Sequence, residues 1–137
     1  MTAQFELILL NRQPEVARLQ DELEKFAAKQ AWPDRMLHDV QLALEEHLTN
    51  IVNYAYEDPR EHHIKVRFTF NRPELRIEVE DDGRPFNPLE HPAPDLAASL
   101  DERPVGGLGI HMIRKSLDGL EYRREQGRNV LVMVKRI

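Results

Sequence analysis

The chain has no cysteine among its 137 residues. Disulfide bonds, thiolate metal sites and cysteine nucleophiles are therefore excluded. Serine is nearly as scarce, since Ser99 and Ser116 are the only two and neither lies in the Gly-x-Ser-x-Gly pattern of many serine hydrolases. No apolar run approaches the roughly 20 residues that a membrane helix needs, and the N-terminus lacks the basic and then apolar pattern of a signal peptide. We expect a cytoplasmic protein.

Positive charge is also in the minority, with 19 Lys and Arg against 24 Asp and Glu and a formal net charge of −5. This balance disfavours nucleic-acid binding through a general basic field. Hydrophobic residues make up 41% of the chain and charged residues 31%, which is typical of a globular protein. The length allows one well-packed core but not two ordinary ones, so we expect a single domain over residues 1–137.

The spacing of apolar residues predicts the secondary structure. The predicted elements, in chain order, are a strand at 5–10, helices at 14–30 and 33–56, strands at 64–70 and 75–79, a helix at 108–117, and strands at 120–125 and 130–137. The proline-rich segment 87–105 is predicted to be a long loop, and such loops in small domains are usually functional or disordered. This order predicts an α+β fold, a two-layer α/β sandwich with helices on one face of a mixed, mostly antiparallel sheet.

Polar residues lie opposite the apolar stripe of the second predicted helix. Glu46 and Asn50 are four residues apart and therefore share a face, with Asn53 nearby. A carboxylate can accept a proton from an attacking hydroxyl or water, and an amide oxygen is a hard ligand suited to Mg²⁺ that carries substrate phosphates. An ordinary solvent-exposed helix face has the same composition, so both interpretations stay open at this point.

Asp81 continues the alternating apolar row of the strand at 75–79, and its side chain is therefore predicted to be buried. A buried carboxylate needs a hydrogen-bond donor. Backbone amides of the following turn can supply one, and so can a ligand group such as the exocyclic amine of adenine. Asp-Asp-Gly at 81–83 is also a favourable turn sequence, and only the buried face distinguishes Asp81 from Asp82.

Residues 106–110 read Gly-Gly-Leu-Gly-Ile, directly before the third predicted helix. Glycines allow a close approach to the backbone, and the unpaired amides at a helix N-terminus favour a bound anion such as phosphate. Glycine clusters also occur where the chain merely turns. The six histidines, by contrast, show no metal-ligand spacing, and His47, which lies beside the apolar stripe of the second predicted helix, is predicted to be partly buried.

Three short motifs follow one another on the predicted elements: Glu46-x-x-x-Asn50 in a helix, Asp81-x-Gly83 after a strand, and Gly107-x-Gly109 after a long loop. Together they resemble the nucleotide-binding boxes of the GHKL ATPase/kinase superfamily. The sequence of residues 45–56, Glu-Glu-His-Leu-Thr-Asn-Ile-Val-Asn-Tyr-Ala-Tyr, looks most like the anti-sigma factor serine/threonine kinases. The resemblance spans nearly the whole chain and implies a histidine-kinase-like ATPase domain with the Bergerat ATP-binding fold, in which 87–105 is the ATP lid.

The resemblance also implies ATP and Mg²⁺ at these motifs. By position, Glu46 matches the general base and Asn50 the magnesium ligand. The positions that match nucleotide-binding residues are Asn50, Asn53, Asp81, Gly83, Gly107, Leu108 and Gly109. Gly127 and Asn129 loosely resemble a third glycine-containing box. The implied function is a protein serine/threonine kinase that binds a sigma factor and phosphorylates a STAS-type anti-anti-sigma antagonist. The resemblance further implies a homodimer that makes no direct contact with nucleic acid or membrane.

Several residues depart from the family pattern. Pro85 replaces a glycine, Tyr54 stands where many relatives carry histidine, and Val105 stands where some carry arginine, although Arg103 is two residues away. These departures bear on phosphoryl transfer more than on ATP binding. They keep a second interpretation open, a nucleotide-gated protein-binding regulator without kinase activity. A histidine-kinase catalytic domain ranks lower, because we expect no room for a phosphoacceptor hairpin, and a purely structural domain is the remaining alternative.

Overall fold

The computed structural model describes residues 2–90 and 114–137. Its elements, in chain order, are β1 (Ala3–Leu10), α1 (Gln13–Lys29), α2 (Asp34–Tyr54), β2 (His63–Asn71), β3 (Glu74–Asp81), a 3₁₀ turn (Pro88–Glu90), β4 (Gly119–Glu125) and β5 (Arg128–Arg136). These seven helices and strands were all predicted, and each boundary differs from its prediction by two residues or fewer. The largest differences include the end of α2 at Tyr54 and the start of β1 at Ala3.

Part of the prediction lies outside the described residues. This applies to the loop 87–105 after its first four residues, to the Gly106–Ile110 junction, and to most of the third predicted helix. Residues 114–116 of that helix are described and are helical. Arg114 donates hydrogen bonds to the carbonyls of Pro88 and Leu89, the first at 3.1 Å. The two described ends of this segment therefore lie next to each other.

The five strands form one sheet in the order β1-β2-β3-β5-β4. All strand pairs in the described part of the chain are antiparallel, so the sheet there is more uniform than the mixed sheet that the sequence predicts. The register places Asn129 of β5 opposite Asp81 of β3 on one side and Arg124 of β4 on the other. Three strands thus bring polar side chains to the same end of the sheet.

Both helices pack on one face of the sheet, where the alternating apolar side chains of the strands form the core. In β2 and β3 these are Ile64, Val66, Phe68, Phe70, Leu75, Ile77 and Val79, all buried. Val40, Leu44, Leu48 and Ile51 form the buried stripe of α2. Fully burying one such large side chain contributes roughly 1.5–3 kcal/mol, so this stripe fixes which face of α2 remains accessible. Neither helix, among the described residues, has the length and apolar content needed to cross a membrane.

Candidate nucleotide-binding site

A cavity of about 440 Å³ lies between the second half of α2 on one side and, on the other, the segment that follows β3 and the start of β5. Its α2 wall consists of residues spaced by three and four, which share one helix face: His47, Asn50, Ile51, Tyr54 and Ala55. The other wall is formed by Asp81, Arg84, Pro85, Phe86 and Asn129. This volume lies within the usual range of small-molecule sites. Two of the predicted site residues, Asn50 and Asp81, therefore line one cavity from different elements.

Glu46 and Asn50 form a hydrogen-bonded pair on α2. The Nδ2 of Asn50 donates to Oε1 of Glu46 at 3.3 Å, and both side chains are half-buried. An amide group carries its donor nitrogen and its acceptor oxygen on opposite branches. Because the nitrogen of Asn50 is directed at Glu46, the amide oxygen remains available as a ligand for a cation.

Asp81 is buried, as the alternation of β3 predicts, with 2% of its surface exposed. Its Oδ1 accepts hydrogen bonds from the Gly83 amide at 2.9 Å and from Nδ2 of Asn129 at 3.0 Å. Burial raises the pKa of the Asp81 carboxyl, while these two donors oppose the rise because they favour the ionised form. Both hydrogen bonds recorded among the described residues reach Oδ1, which leaves Oδ2 as an acceptor for a donor in the cavity.

The side chain of Asn129 makes four hydrogen bonds at the start of β5, where the residue is buried. Besides Asp81, its Nδ2 reaches the Arg84 carbonyl at 2.8 Å. Its Oδ1 accepts from the Tyr122 hydroxyl at 2.5 Å and from the Phe86 amide at 3.3 Å. The sequence placed Asn129 in a turn and in a loosely matched box. It gave no signal for Tyr122, whose contact depends on the register between β4 and β5.

The segment after β3 is attached to the C-terminal end of α2. The Arg84 amide donates to the Ala55 carbonyl at 2.9 Å, and the Arg84 guanidinium donates to the Tyr54 carbonyl. Arg124 of β4 donates to the Gly83 carbonyl at 2.8 Å. The two Arg84 bonds join the two walls of the cavity, and the Arg124 bond attaches β4 to the segment after β3. Pro85 follows Arg84 in the wall opposite α2 and has no amide hydrogen to offer a ligand.

Gly83 is required by the close approach of α2 to this segment. A Cβ built at residue 83 would lie 2.6 Å from the Ala55 Cβ, 2.8 Å from the Ala55 carbonyl oxygen and 3.0 Å from Oδ1 of Asp81. The first two atoms belong to a rigid helix end rather than to a flexible side chain. The wall that carries Asp81 can therefore approach the helix this closely only with glycine.

Replacing Gly83 by alanine is expected to lower the free energy of unfolding by about 1–3 kcal/mol, the usual cost of overpacking a filled site. Gly119→Ala is the matched control, because its added Cβ would lie 3.3 Å from the Val134 side chain and meets no backbone atom within 4 Å. Urea unfolding of both variants measures the difference. Equal losses in the two variants would contradict the proposed crowding at Gly83.

His47 lines the cavity and is buried, with 5% of its surface exposed. The sequence predicted a partly buried histidine beside the apolar stripe but not its position in a cavity wall. Burial lowers the pKa of the His47 imidazole from 6.5 to about 4, because the charged ring is poorly solvated there. The ring is therefore neutral in the folded protein at neutral pH.

Replacing His47 by glutamine is expected to remove an acid sensitivity of folding. In the wild type, the stability that depends on a neutral His47 is fully present above pH 6.5 and is lost as the pH falls towards about 4, because the pKa of His47 is depressed in the folded protein. This loss amounts to roughly 3 kcal/mol relative to the variant, because protons bind the unfolded chain more strongly. Urea unfolding across this pH range measures it. His38→Gln replaces an exposed histidine of the same helix and is the control. Its free energy of unfolding should change with pH as in the wild type. The same pH dependence in His47→Gln would contradict the assigned role of His47.

His62 connects two loops beside the cavity. Its Nε2 lies 2.9 Å from Asp58 and its Nδ1 lies 3.2 Å from Asp82, while its ring stacks on Tyr56 with centroids 4.1 Å apart. The hydrogen bond with Asp58, followed by the contacts with Asp82, raises the pKa of the imidazole. The contacts hold the segment after α2 against the residue that follows Asp81. They are structural contacts, and among the described residues no group of three or more His, Asp and Glu side chains is placed to hold a metal ion by itself.

The remaining predicted site residues differ in how far the structure describes them. Gly107, Leu108 and Gly109 lie outside the described residues. Gly83 supplies an amide to Asp81 rather than lining the cavity itself. Asn53 is exposed and is not among the described residues that line the cavity, so its role stays a prediction.

The fold is that of an ATPase domain, and the chain belongs to the family of histidine kinase-like ATPase domains. The family model with that description matches residues 10–135. Among individual relatives, the chain is 33% identical over 113 residues to the serine/threonine-protein kinase BtrW of Bordetella bronchiseptica. That match covers 81% of this chain and 78% of the relative.

Two further comparisons agree with this assignment. The chain is 24% identical over 100 residues to an anti-sigma F factor of Clostridium beijerinckii, which covers 73% of this chain and 70% of the relative. The crystal structure of the RsbU and RsbW domains of a Mycobacterium tuberculosis protein matches 98% of this chain with a TM-score of 0.70 at 14% identity. The match spans 32% of that solved chain and shows the shared fold.

Proposed function

We propose that this chain is an ATP-dependent protein serine/threonine kinase of the anti-sigma type. It binds a sigma factor and phosphorylates a STAS-type anti-anti-sigma antagonist. The observation that carries the proposal is a single cavity with the Asn50 amide, paired with Glu46, on one wall and the buried Asp81 carboxylate on the other. The names of the relatives support the same activity, since they include a serine/threonine-protein kinase and an anti-sigma factor.

Asp81 would bind the base of ATP. Its Oδ1 is occupied by two internal donors, so Oδ2 is the acceptor for the exocyclic amine of adenine. A buried, charge-assisted hydrogen bond of this kind is stronger than one between neutral groups. Apolar contacts from Ile51, Ala55 and Phe86 along the cavity would cover the faces of the base.

The phosphates would lie towards Asn50. The Asn50 oxygen is a hard donor, as Mg²⁺ requires, and its orientation is set by the bond from Nδ2 to Glu46. When bound there, Mg²⁺ supplies positive charge that neutralises the phosphate oxygens. We further propose that the backbone of Gly107, Leu108 and Gly109 contacts the phosphates and that 87–105 acts as the ATP lid, as the family resemblance implies.

Glu46 would act as the general base in the transfer step. The hydroxyl oxygen of the substrate serine or threonine forms a bond to the γ-phosphorus, and the bond from that phosphorus to the leaving oxygen of ADP breaks. The hydroxyl proton passes to the free oxygen of the Glu46 carboxylate. Correct positioning of the hydroxyl relative to the phosphate supplies most of the remaining rate enhancement.

The activity can be tested with ATP radiolabelled at the γ-phosphate. The purified chain, Mg²⁺ and candidate STAS-domain proteins of the same organism should yield an acid-stable phosphoserine or phosphothreonine on one of those partners. Acid-labile label would indicate a phosphohistidine and contradict a serine/threonine kinase. Absence of ATP binding to the folded protein would contradict the whole proposal.

A second candidate, a nucleotide-gated regulator without kinase activity, is favoured by Pro85 in the cavity wall. A proline offers no amide donor and restricts the backbone of this segment. This candidate predicts tight, Mg²⁺-dependent binding of ATP with no label on any STAS-domain partner. The same assay therefore separates the two functions.

The assembly and the place of action form a further part of the proposal. A protein that binds a sigma factor acts where transcription takes place, which is the cytoplasm of a bacterium. We expect a homodimer, on the resemblance to the anti-sigma kinases. Sedimentation velocity at micromolar concentrations measures this directly, and a single species with the mass of one 16.0 kDa chain would contradict it.

A further inference from the structure

A chain of hydrogen bonds crosses three strands behind the cavity. The Tyr122 hydroxyl of β4 donates to Oδ1 of Asn129 on β5 at 2.5 Å, and Nδ2 of Asn129 donates to Oδ1 of Asp81 on β3 at 3.0 Å. Tyr122 is half-buried and is not among the described residues that line the cavity. Among the described residues, its hydroxyl is connected to the cavity through Asn129.

These contacts determine the orientation of the Asn129 amide. The Phe86 amide can only donate and points at one branch of the Asn129 amide, so that branch is the oxygen, and the Tyr122 hydroxyl donates to the same oxygen. Two acceptors, Oδ1 of Asp81 and the Arg84 carbonyl, face the other branch, so that branch is the nitrogen. Rotating the Asn129 amide by 180° would place its nitrogen against the Phe86 amide and its oxygen against the Arg84 carbonyl and Oδ1 of Asp81, at a cost for each unsatisfied buried group.

The orientation of Asn129 in turn determines what Asp81 offers to the cavity. Burial raises the pKa of the Asp81 carboxyl, and the two donors to its Oδ1, Nδ2 of Asn129 and the Gly83 amide, counteract this rise because they favour the ionised form. An ionised carboxylate accepts hydrogen bonds and donates none. It therefore accepts from an amino group and repels a carbonyl oxygen.

We propose that Tyr122 and Asn129 are positioning residues that make this site selective for a purine with an amino group at position 6 over one with a keto group there. The inference rests on the proposed ATP site and assigns its base selectivity to residues behind Asp81. ATP and inosine triphosphate (ITP) differ in this group, amino in ATP and keto in ITP. A site built around one hydrogen-bonding pattern rejects the opposite pattern strongly, because its buried groups are then left unpaired.

Calorimetric titration of the full chain with Mg²⁺ and either ATP or ITP tests the inference. The wild type should bind ATP at least ~10²-fold more tightly than ITP. Tyr122→Phe, which removes one hydroxyl donor, should reduce this ratio by about 3–10-fold, the value of one hydrogen bond. Glu121→Gln, at an exposed residue of the same strand, is the matched control and should keep the wild-type ratio.

Asn129→Asp gives a second test with a different signature. It places a carboxylate beside Asp81, and two adjacent carboxylates retain a shared proton near neutral pH. The pair can then donate to a keto oxygen, so the preference for ATP should fall by at least about 10-fold and become dependent on pH.

Carboxyl-detected NMR gives a third test on the nucleotide-free Tyr122→Phe protein. It should show a raised pKa for Asp81, and it needs neither Asn129→Asp nor a bound ligand.

The outcomes separate the inference from the proposed function. A wild type that binds neither nucleotide overturns the proposed function and the inference with it. A wild type that prefers ATP, together with an unchanged ATP-to-ITP ratio in Tyr122→Phe and an unchanged Asp81 pKa, overturns the inference alone. If Tyr122 had only a structural role, Tyr122→Phe would weaken the binding of ATP and ITP equally and leave the ratio of their affinities unchanged.

Discussion

Replacing Glu46 by glutamine is expected to slow phosphoryl transfer by about 10²- to 10⁴-fold, the usual contribution of a general base. Glutamine cannot take up the hydroxyl proton. Its Oε1 can still accept the hydrogen bond that the Asn50 amide donates to residue 46. The orientation of Asn50, and with it the affinity for nucleotide, should therefore change little.

Single-turnover transfer of labelled phosphate to the STAS-domain partner measures the rate, and calorimetry measures the affinity. Glu45→Gln is the matched control, because Glu45 is the adjacent residue of α2, is exposed, and contacts Gln20 of α1 rather than Asn50. It should transfer phosphate at the wild-type rate. Transfer by Glu46→Gln at that same rate would show that Glu46 is not the base. Equal losses of rate and affinity would assign Glu46 to binding instead.

Replacing Asp81 by asparagine is expected to weaken ATP binding by about 10- to 100-fold, the range for a hydrogen bond to a charged group. The new Oδ1 can keep the donors from Gly83 and Asn129, so the fold around it should be preserved. The new amide nitrogen then faces the cavity in place of Oδ2. It would meet the amino group of adenine, which places donor against donor.

Affinity for ITP gives this prediction a specific signature, because an amide nitrogen can donate to a keto oxygen. Asp81→Asn should therefore lose affinity for ATP but not for ITP. Glu80→Gln is the matched control, since Glu80 precedes Asp81 and lies on the opposite face of β3. Equal weakening of both nucleotides in Asp81→Asn would indicate general damage to the site and would contradict the assigned contact.

The helices and strands could be predicted because their signals are local. The apolar stripe of α2 and the alternation of β2 and β3 each lie within one element, and these elements match their predictions closely. The burial of Asp81 could be predicted for the same reason, because a period of two places it on the face of Val79. Its burial to 2% exposure agrees with that argument.

The surroundings of Asp81 could not be predicted, because they depend on contacts between elements distant in sequence. Tyr122 meets Asn129 through the hairpin of β4 and β5, and Asn129 meets Asp81 through a pairing that joins residues 48 apart. Periodicity describes neither the strand order nor the register. The close approach of Ala55 to Gly83 is likewise a tertiary contact, although the sequence singled out Gly83 for a different reason.

The position of His47 illustrates a second limit of sequence patterns. The residue lies beside the apolar stripe of α2, and periodicity predicts its partial burial. Whether such a residue packs in the core or lines a cavity depends on how far the opposite wall lies from the helix. Here the segment after β3 leaves a cavity, and His47 contributes to its α2 wall.

A crystal structure of this chain with Mg²⁺ and a non-hydrolysable ATP analogue tests the central claim most directly. We expect the adenine amino group within about 2.7–3.2 Å of Oδ2 of Asp81. We also expect a metal ion at about 2.1 Å from the amide oxygen of Asn50, with the phosphates at residues 107–109. A nucleotide bound outside this cavity, or one whose amino group points away from Asp81, would contradict the account.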